Sequence, residues 1–463
     1  MCFATVKNSY AQLPIKLPED NIKFGTSYIT IPPLDYGPAP ALALLAVLDV
    51  KSSLSSIPVS GILGNAGKEI ALSQIVMKVN SITNNVTLGT TTQVSPAIIT
   101  YKTLLTVVAS LGLQAGNVNM DFTLSKGTTG WISGTYSTTL NFRAGGLLGI
   151  WNYIDKNLTI EIPSFITPLL ATAPIVDLQV NDFSFFASGG ITSLVNTFDY
   201  YTTVASTISV NANNTSPNPE KFTFTATVPH SLTPIVDASV VNVKLDPVQQ
   251  SVNLTATPAL LTNTNIAVAN SNKNTISTKF NITSDNLKSN FIQAGTYTLP
   301  ISYKINLGTS AYAEKATSAT LPGTVKVTVA PMLNLSITGN TVPLTFNTAE
   351  KYKSGTTTDM PKHVTTSSTV AYDVSVRSQN ANFSSAVSGN TTTLPLNLVN
   401  IGGTGLTTIT LSAADQKIVS GAAPQIGREI DINYIIPNLN TPSLIGKPAG
   451  DYSATVIYSI TAQ

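Results

Sequence analysis

The sequence predicts an all-β protein built from three β-sandwich domains in tandem, with one short helix inserted in the first. Three observations predict it. One alternating strand recurs three times at domain-like spacing. Gly, Pro and Asn clusters separate many short apolar runs, as in sandwiches. The length of 463 residues corresponds to three domains at about 100–200 residues each.

Composition narrows the function. Hydrophobic residues make up 43%, enough to fill real cores, while charged residues make up only 10%, against roughly 25% in an average soluble protein. Lys+Arg 25 against Asp+Glu 23 gives a net charge of +2. No basic stripe exists to neutralise phosphates, so nucleic acid is excluded as a partner. The one cysteine, Cys2, leaves no disulfide framework. Residues 1–11 read as the tail of a signal peptide, with Ser9-Tyr10-Ala11 as a small-x-small cleavage site before Gln12. Export to the cell surface or medium is the expectation. No stretch reaches the ~18–20 apolar residues of a membrane span. Of the two longest candidates, residues 39–48 are too short. Residues 97–113 follow Ser95-Pro96, which suits an N-cap and first helical position, so a helix is expected near 97–111.

The repeat is the most informative feature. Gly134-Thr135-Tyr136, Gly295-Thr296-Tyr297 and Gly450-Asp451-Tyr452 each open an alternating run. Six residues beyond the glycine stand Leu140, Ile301 and Val456; eight beyond stand Phe142, Tyr303 and Tyr458; ten beyond stand Ala144, Ile305 and Ile460. The residues between are largely polar, so each run is a half-buried strand. The glycine serves a turn or a close backbone approach. The strand is expected to be last or near-last in its domain. New alternations then open the following domains: Leu158, Ile160 and Ile162; then Leu333, Leu335 and Ile337. Tyr28 with residues 29–31 takes this role in the first. These readings place the domains at 12–156, 157–330 and 331–463, with short linkers at 152–157 and 329–331. The Asn-dense stretch 262–278 is expected to be an exposed loop.

Catalytic constellations are missing. His230 and His363 fall in different domains and read as loop residues, too few for a zinc site or a nucleophile–histidine pair. Two carboxylate pairs, Asp177 with Asp182 and Glu429 with Asp431, read as solvated charges rather than a glycosidase dyad. No enzyme activity, metal or cofactor is expected. Trp131 and Trp151 flank the first repeat strand and are candidates for stacking on a ligand, with Tyr200-Tyr201 a further aromatic pair; a core role is the competing reading.

The run Pro448-Ala449-Gly450-Asp451-Tyr452, followed by alternation over the remaining residues, resembles the C-terminal strand of bacterial fimbrial subunits of the chaperone–usher type and related secreted β-sandwich surface proteins. The resemblance covers about one strand per domain. It implies immunoglobulin-like, pilin-like sandwiches and a final strand lining a groove that a chaperone and then a neighbouring subunit fills. The chain departs from that pattern in having Ala462 where those subunits carry an aromatic, no disulfide, and a greater length. The functional expectation is a bacterial surface subunit or tip component, structural or adhesive. Its partners would be other subunits, the same protein, a glycan or a host surface. A carbohydrate-binding sandwich protein is the alternative, and a hydrolase ranks third.

Overall fold

A computed structural model describes residues 12–38, 47–60, 68–82, 86–111, 117–145, 151–214, 218–229, 232–248, 250–308 and 318–463. The fold is all-β. Buried apolar side chains gather in three separate clusters, spanning residues 13–165, 166–329 and 364–458. Each lies between sheets of mainly antiparallel strands. No helix among the described residues is long and apolar enough to cross a membrane.

The repeat strands are Gly134–Gly145, Gly295–Leu307 and, in two pieces, Tyr452–Ser453 with Val456–Ala462. Their glycines share one backbone conformation, with φ of 147°, 152° and 146°, which L side chains rarely adopt. Two residues on, each tyrosine hydroxyl donates to the carbonyl four residues upstream: Tyr136 to Ile132 at 2.9 Å, Tyr297 to Gln293 at 2.8 Å, Tyr452 to Pro448 at 2.9 Å. This is the tyrosine-corner geometry of immunoglobulin-like sandwiches. It fixes the turn into the strand, so the likeness between the three runs is three-dimensional.

Neighbours on one edge also match. Gly134–Gly145 pairs with Val47–Ser52 and Ser56–Ser60. Gly295–Leu307 pairs with Ser206–Ala212 and Thr223–Ala226. Val456–Ala462 pairs with Tyr372–Ser378, and Tyr452–Ser453 with Asn382–Ser385. On the other edge, the first two are closed by long antiparallel partners, Trp151–Ile162 and Ser318–Val329. Each closing strand is flanked in parallel by an opening strand, Gln12–Lys16 or Val176–Val180.

The two junctions between sandwiches are built alike. The Thr203 hydroxyl donates to the Pro163 carbonyl at 2.6 Å and accepts from the Phe165 amide at 3.3 Å; the Thr369 hydroxyl donates to Ala330 at 2.7 Å and accepts from Met332 at 2.8 Å. The residue before each of the first two repeat glycines, Ser133 or Ala294, donates its amide to the carbonyl of that same threonine.

Several sequence expectations are corrected. Residues 97–111 hold the strand Lys102–Leu111 rather than a helix. Leu104, Leu105 and Val107 are buried, and pairing with Val47–Ser52 and Val86–Thr91 outweighs the Ser-Pro capping signal. The short helix of this sandwich is Glu19–Phe24, ended by Gly25 at φ 65°. Residues 152–157 are not a linker but part of the closing strand Trp151–Ile162, so a cut at 156 severs it. Leu158, Ile160 and Ile162 close the first core instead of opening the second. Leu13 and Ile15, not Tyr28 to Ile31, supply the opening alternation. The last third of the expected loop 262–278 is strand, from Lys273 onward, because Asn274, Ile276 and Thr278 turn inward against the second core. Residues 1–11 and His230 lie outside the described residues.

Candidate functional site

Among the described residues, the third sandwich has both flanks of a closing strand and no strand between them. Val456–Ala462 pairs only with Tyr372–Ser378 among the described residues, in a sheet of three strands. Opposite lies residues 341–346, where Val342, Leu344 and Phe346 alternate and are half-buried against the third core. The matching opener of the second sandwich is Val176–Val180, whose Val176, Leu178 and Val180 are fully buried beside the closing strand. With no strand to pair, residues 341–346 have no regular structure.

The gap between the flanks is a groove of ≈ 970 Å³, lined by Val342, Leu344, Phe346, Val456 and Tyr458 among others. Its walls are half-exposed versions of a core that is sealed elsewhere. Leu140, Phe142, Ile301 and Tyr303 are at most 1% exposed, whereas Val456 and Ile460, in the places of Leu140 and Ala144, remain half-buried. Tyr136 and Tyr297 are buried; Tyr452 is half-buried for the same reason. Full burial of a large apolar side chain is worth about 1.5–3 kcal/mol, and each half-buried wall residue forgoes part of it.

A polar chain runs along the groove floor. His363 Nδ1 is 2.7 Å from the Thr338 carbonyl and its Nε2 is 3.1 Å from the Tyr434 hydroxyl, itself 2.7 Å from the Tyr458 hydroxyl. A carbonyl only accepts, so Nδ1 carries the proton toward Thr338. In the neutral ring Nε2 then accepts from Tyr434, and Tyr434 from Tyr458. Burial pushes the Tyr434 and Tyr458 hydroxyls above the ordinary tyrosine range, and for Tyr458 the neighbouring Tyr434 adds to the effect. A β-bulge aims the histidine: the pairing of Gly355–Ser368 with Gln425–Pro437 slips between Met360 and Val364, with Lys362 at φ 50°. The bulge is held by the Lys362 amide on Asp431 at 2.7 Å and the Lys362 ammonium on Glu429 at 2.8 Å. His363 is therefore a buried strand residue, not a loop residue.

Other sequence candidates separate from the groove. Trp131 is 5% exposed, with its amide and carbonyl both bonded to the Asn272 side chain, so it packs at the first junction and offers no face to a ligand. Trp151 is half-exposed and stacks on Arg143 on the outer face of the first sandwich. Tyr200 is fully buried and bonded to Ser206. Glu429 and Asp431 both turn to Lys362, and Asp182 caps the Ser184 amide at 2.7 Å. The histidine, Tyr434 and residues 342–346 are the site residues that sequence reasoning missed. The alternation Val342-Leu344-Phe346 was the available signal for the last of these.

No family model and no curated protein matches the chain. Solved structures do. CfaE, the adhesive subunit of the CFA/I fimbria of enterotoxigenic Escherichia coli, is 10% identical with a TM-score of 0.28, covering 70% of this chain and 99% of that one. The CsuC–CsuE complex of chaperone and tip adhesion subunit from the archaic chaperone–usher Csu pili of Acinetobacter baumannii matches at 10% and 0.30, covering 64% and 99%. Cadherin-like domains 1 to 4 of zebrafish RET match at 8% and 0.19, covering 80% and 58%.

Proposed function

We propose that this chain is a subunit of a bacterial surface fibre, structural or adhesive, whose third sandwich takes a strand from another protein chain. The vacant strand position between Val456–Ala462 and residues 341–346 carries the reading. An open strand edge beside an apolar groove is the arrangement that strand addition uses: backbone hydrogen bonds supply affinity and alternate side-chain pockets supply specificity.

The first two sandwiches specify what fits. An incoming strand runs antiparallel to Val456–Ala462 and parallel to residues 341–346, as Ser318–Val329 does between its own flanks. Leu321 lies opposite Tyr303, Gly323 opposite Ile301 and Val325 opposite Leu299. Carried to the third sandwich, the partner presents a branched apolar residue to Tyr458, a small one to Val456 and another branched one to Ala454. Export from the cell follows from this role and remains part of the proposal.

The test is complementation in cis. A short linker and a copy of residues 318–329 are appended after Gln463, and thermal unfolding is compared with the unmodified chain. Filling the groove raises the unfolding midpoint of the third sandwich by roughly 2–8 °C per kcal/mol gained. A copy with Asp at the positions of Leu321 and Val325 gives no rise. An unchanged midpoint with the apolar copy contradicts the proposal.

A further inference from the structure

The outer face of the first sandwich carries a cluster unrelated to the groove. Across its neighbouring strands Tyr153 stands opposite Arg143, Arg143 opposite Asp49, and Asp49 opposite Thr103. The Arg143 guanidinium lies between two rings, 4.0 Å from the centre of Tyr101 and 4.1 Å from that of Trp151. Its Nε and Nη2 both donate to Asp49 Oδ2 at 2.8 Å, and the Thr103 hydroxyl donates to Oδ1 at 2.8 Å. The Asp49 side chain is only 4% exposed, so the guanidinium is pinned to the sheet and in turn holds the rings. One row along, Asn141 donates to Asp155 at 2.7 Å, and the Lys51 ammonium lies 4.8 Å from the Tyr101 ring.

Three features define an occupant. The Tyr101 and Trp151 rings are set by Arg143 before any ligand arrives, which lowers the ordering cost of binding. The charges cancel, Arg143 and Lys51 against Asp49 and Asp155, so the face gives no field that would favour a phosphate or a sugar acid. Tyr153 is 62% exposed and Trp151 half-exposed, and they stand beside a rim of carboxylate, amide and ammonium groups. A sugar ring has the complementary surface: an apolar C–H face bounded by hydroxyls. We propose that this face is a binding site for a neutral saccharide, whose ring lies on Trp151 and Tyr153 and whose hydroxyls bond to Asp155, Asn141 and Lys51. It stands whether or not the groove of the third sandwich takes a strand.

The chain has two tryptophans, and Trp131 is buried, so Trp151 is a built-in reporter. The full chain is titrated with lactose, mannotriose and cellotetraose, and with sialyllactose as the charged probe, while tryptophan emission and acrylamide quenching are followed. At least one neutral probe is expected to shift the emission and shield it from quencher. The signal should vanish in Trp151→Phe. In Tyr153→Ala, where an exposed ring is removed and the circular dichroism spectrum should not change, the loss of one stacking contact should weaken affinity by about tenfold. No response to any neutral probe, binding by sialyllactose alone, or undiminished affinity in Tyr153→Ala overturns the proposal.

Discussion

Tyr434 and Tyr458 meet hydroxyl to hydroxyl at 2.7 Å on the floor of an open groove, each on a different sheet of the third sandwich. Burial opposes a phenolate at either position, and at Tyr458 the neighbouring Tyr434 opposes it further.

That burial predicts alkaline sensitivity. Burial raises the hydroxyls of Tyr458 and Tyr434, and likewise Tyr36, Tyr200, Tyr297 and Tyr303 in the other two cores. An unfolded tyrosine ionises near about pH 10. Above that pH the unfolded chain has shed protons that the folded chain retains, so stability is complete below about pH 10 and falls as pH rises further. The phenolate absorbance of these six buried tyrosines should appear only together with loss of the near-ultraviolet dichroism. Free titration of all sixteen tyrosines before unfolding would contradict this.

The repeat glycines should differ in tolerance. A Cβ on Gly295 would sit 2.5 Å from the Phe224 ring and 2.8 Å from the Thr225 carbonyl, at φ 152°. On Gly450 it would meet only the Val387 side chain, at 2.5 Å. Both substitutions by Ala carry backbone strain of about 1–3 kcal/mol. Gly295→Ala adds a clash with backbone that cannot yield, so denaturant unfolding should show it costing more than Gly450→Ala.

The junctions should depend on their threonine hydroxyls. Thr369 is fully buried, and its hydroxyl satisfies the Ala330 carbonyl and the Met332 amide together. Thr369→Val keeps the shape and orphans both groups, at about 1–3 kcal/mol each. Thr203→Val should act likewise at the first junction. Limited proteolysis should then show new cleavage near residues 330 or 163, with the sandwich cores intact.

Much of this architecture was legible because period-two alternation is a backbone property. The Gly-x-Tyr runs, with Phe142, Tyr303 and Tyr458 eight residues beyond each glycine, fall on the strands Gly134–Gly145, Gly295–Leu307 and the pair Tyr452–Ser453 and Val456–Ala462. What the alternation did not carry was partnership. Leu158, Ile160 and Ile162 read equally well as opening one sandwich or closing another; only pairing with Gly134–Gly145 decides. The strand over Lys102–Leu111 was hidden by a local capping signal that pairing on both sides overrode. His363 looked like a loop residue because the bulge at Lys362, which turns it inward, leaves no mark in hydrophobic periodicity. Trp151 was visible as an aromatic near a core strand, but the Arg143 on which it stacks is held by Asp49, about a hundred positions away.

Amide hydrogen exchange on Val456–Ala462, resolved residue by residue in the intact chain, tests the vacant edge most directly. In an antiparallel strand paired on one side, successive amides point alternately toward the partner and away from it. The amides facing Tyr372–Ser378 should be protected and those between them should exchange rapidly, in a period-two pattern. Gly295–Leu307, flanked on both sides over most of its length, should be protected throughout that stretch. Adding the closing-strand copy in cis should slow the fast set alone. Uniform protection of Val456–Ala462 in the unmodified chain would contradict an open strand position.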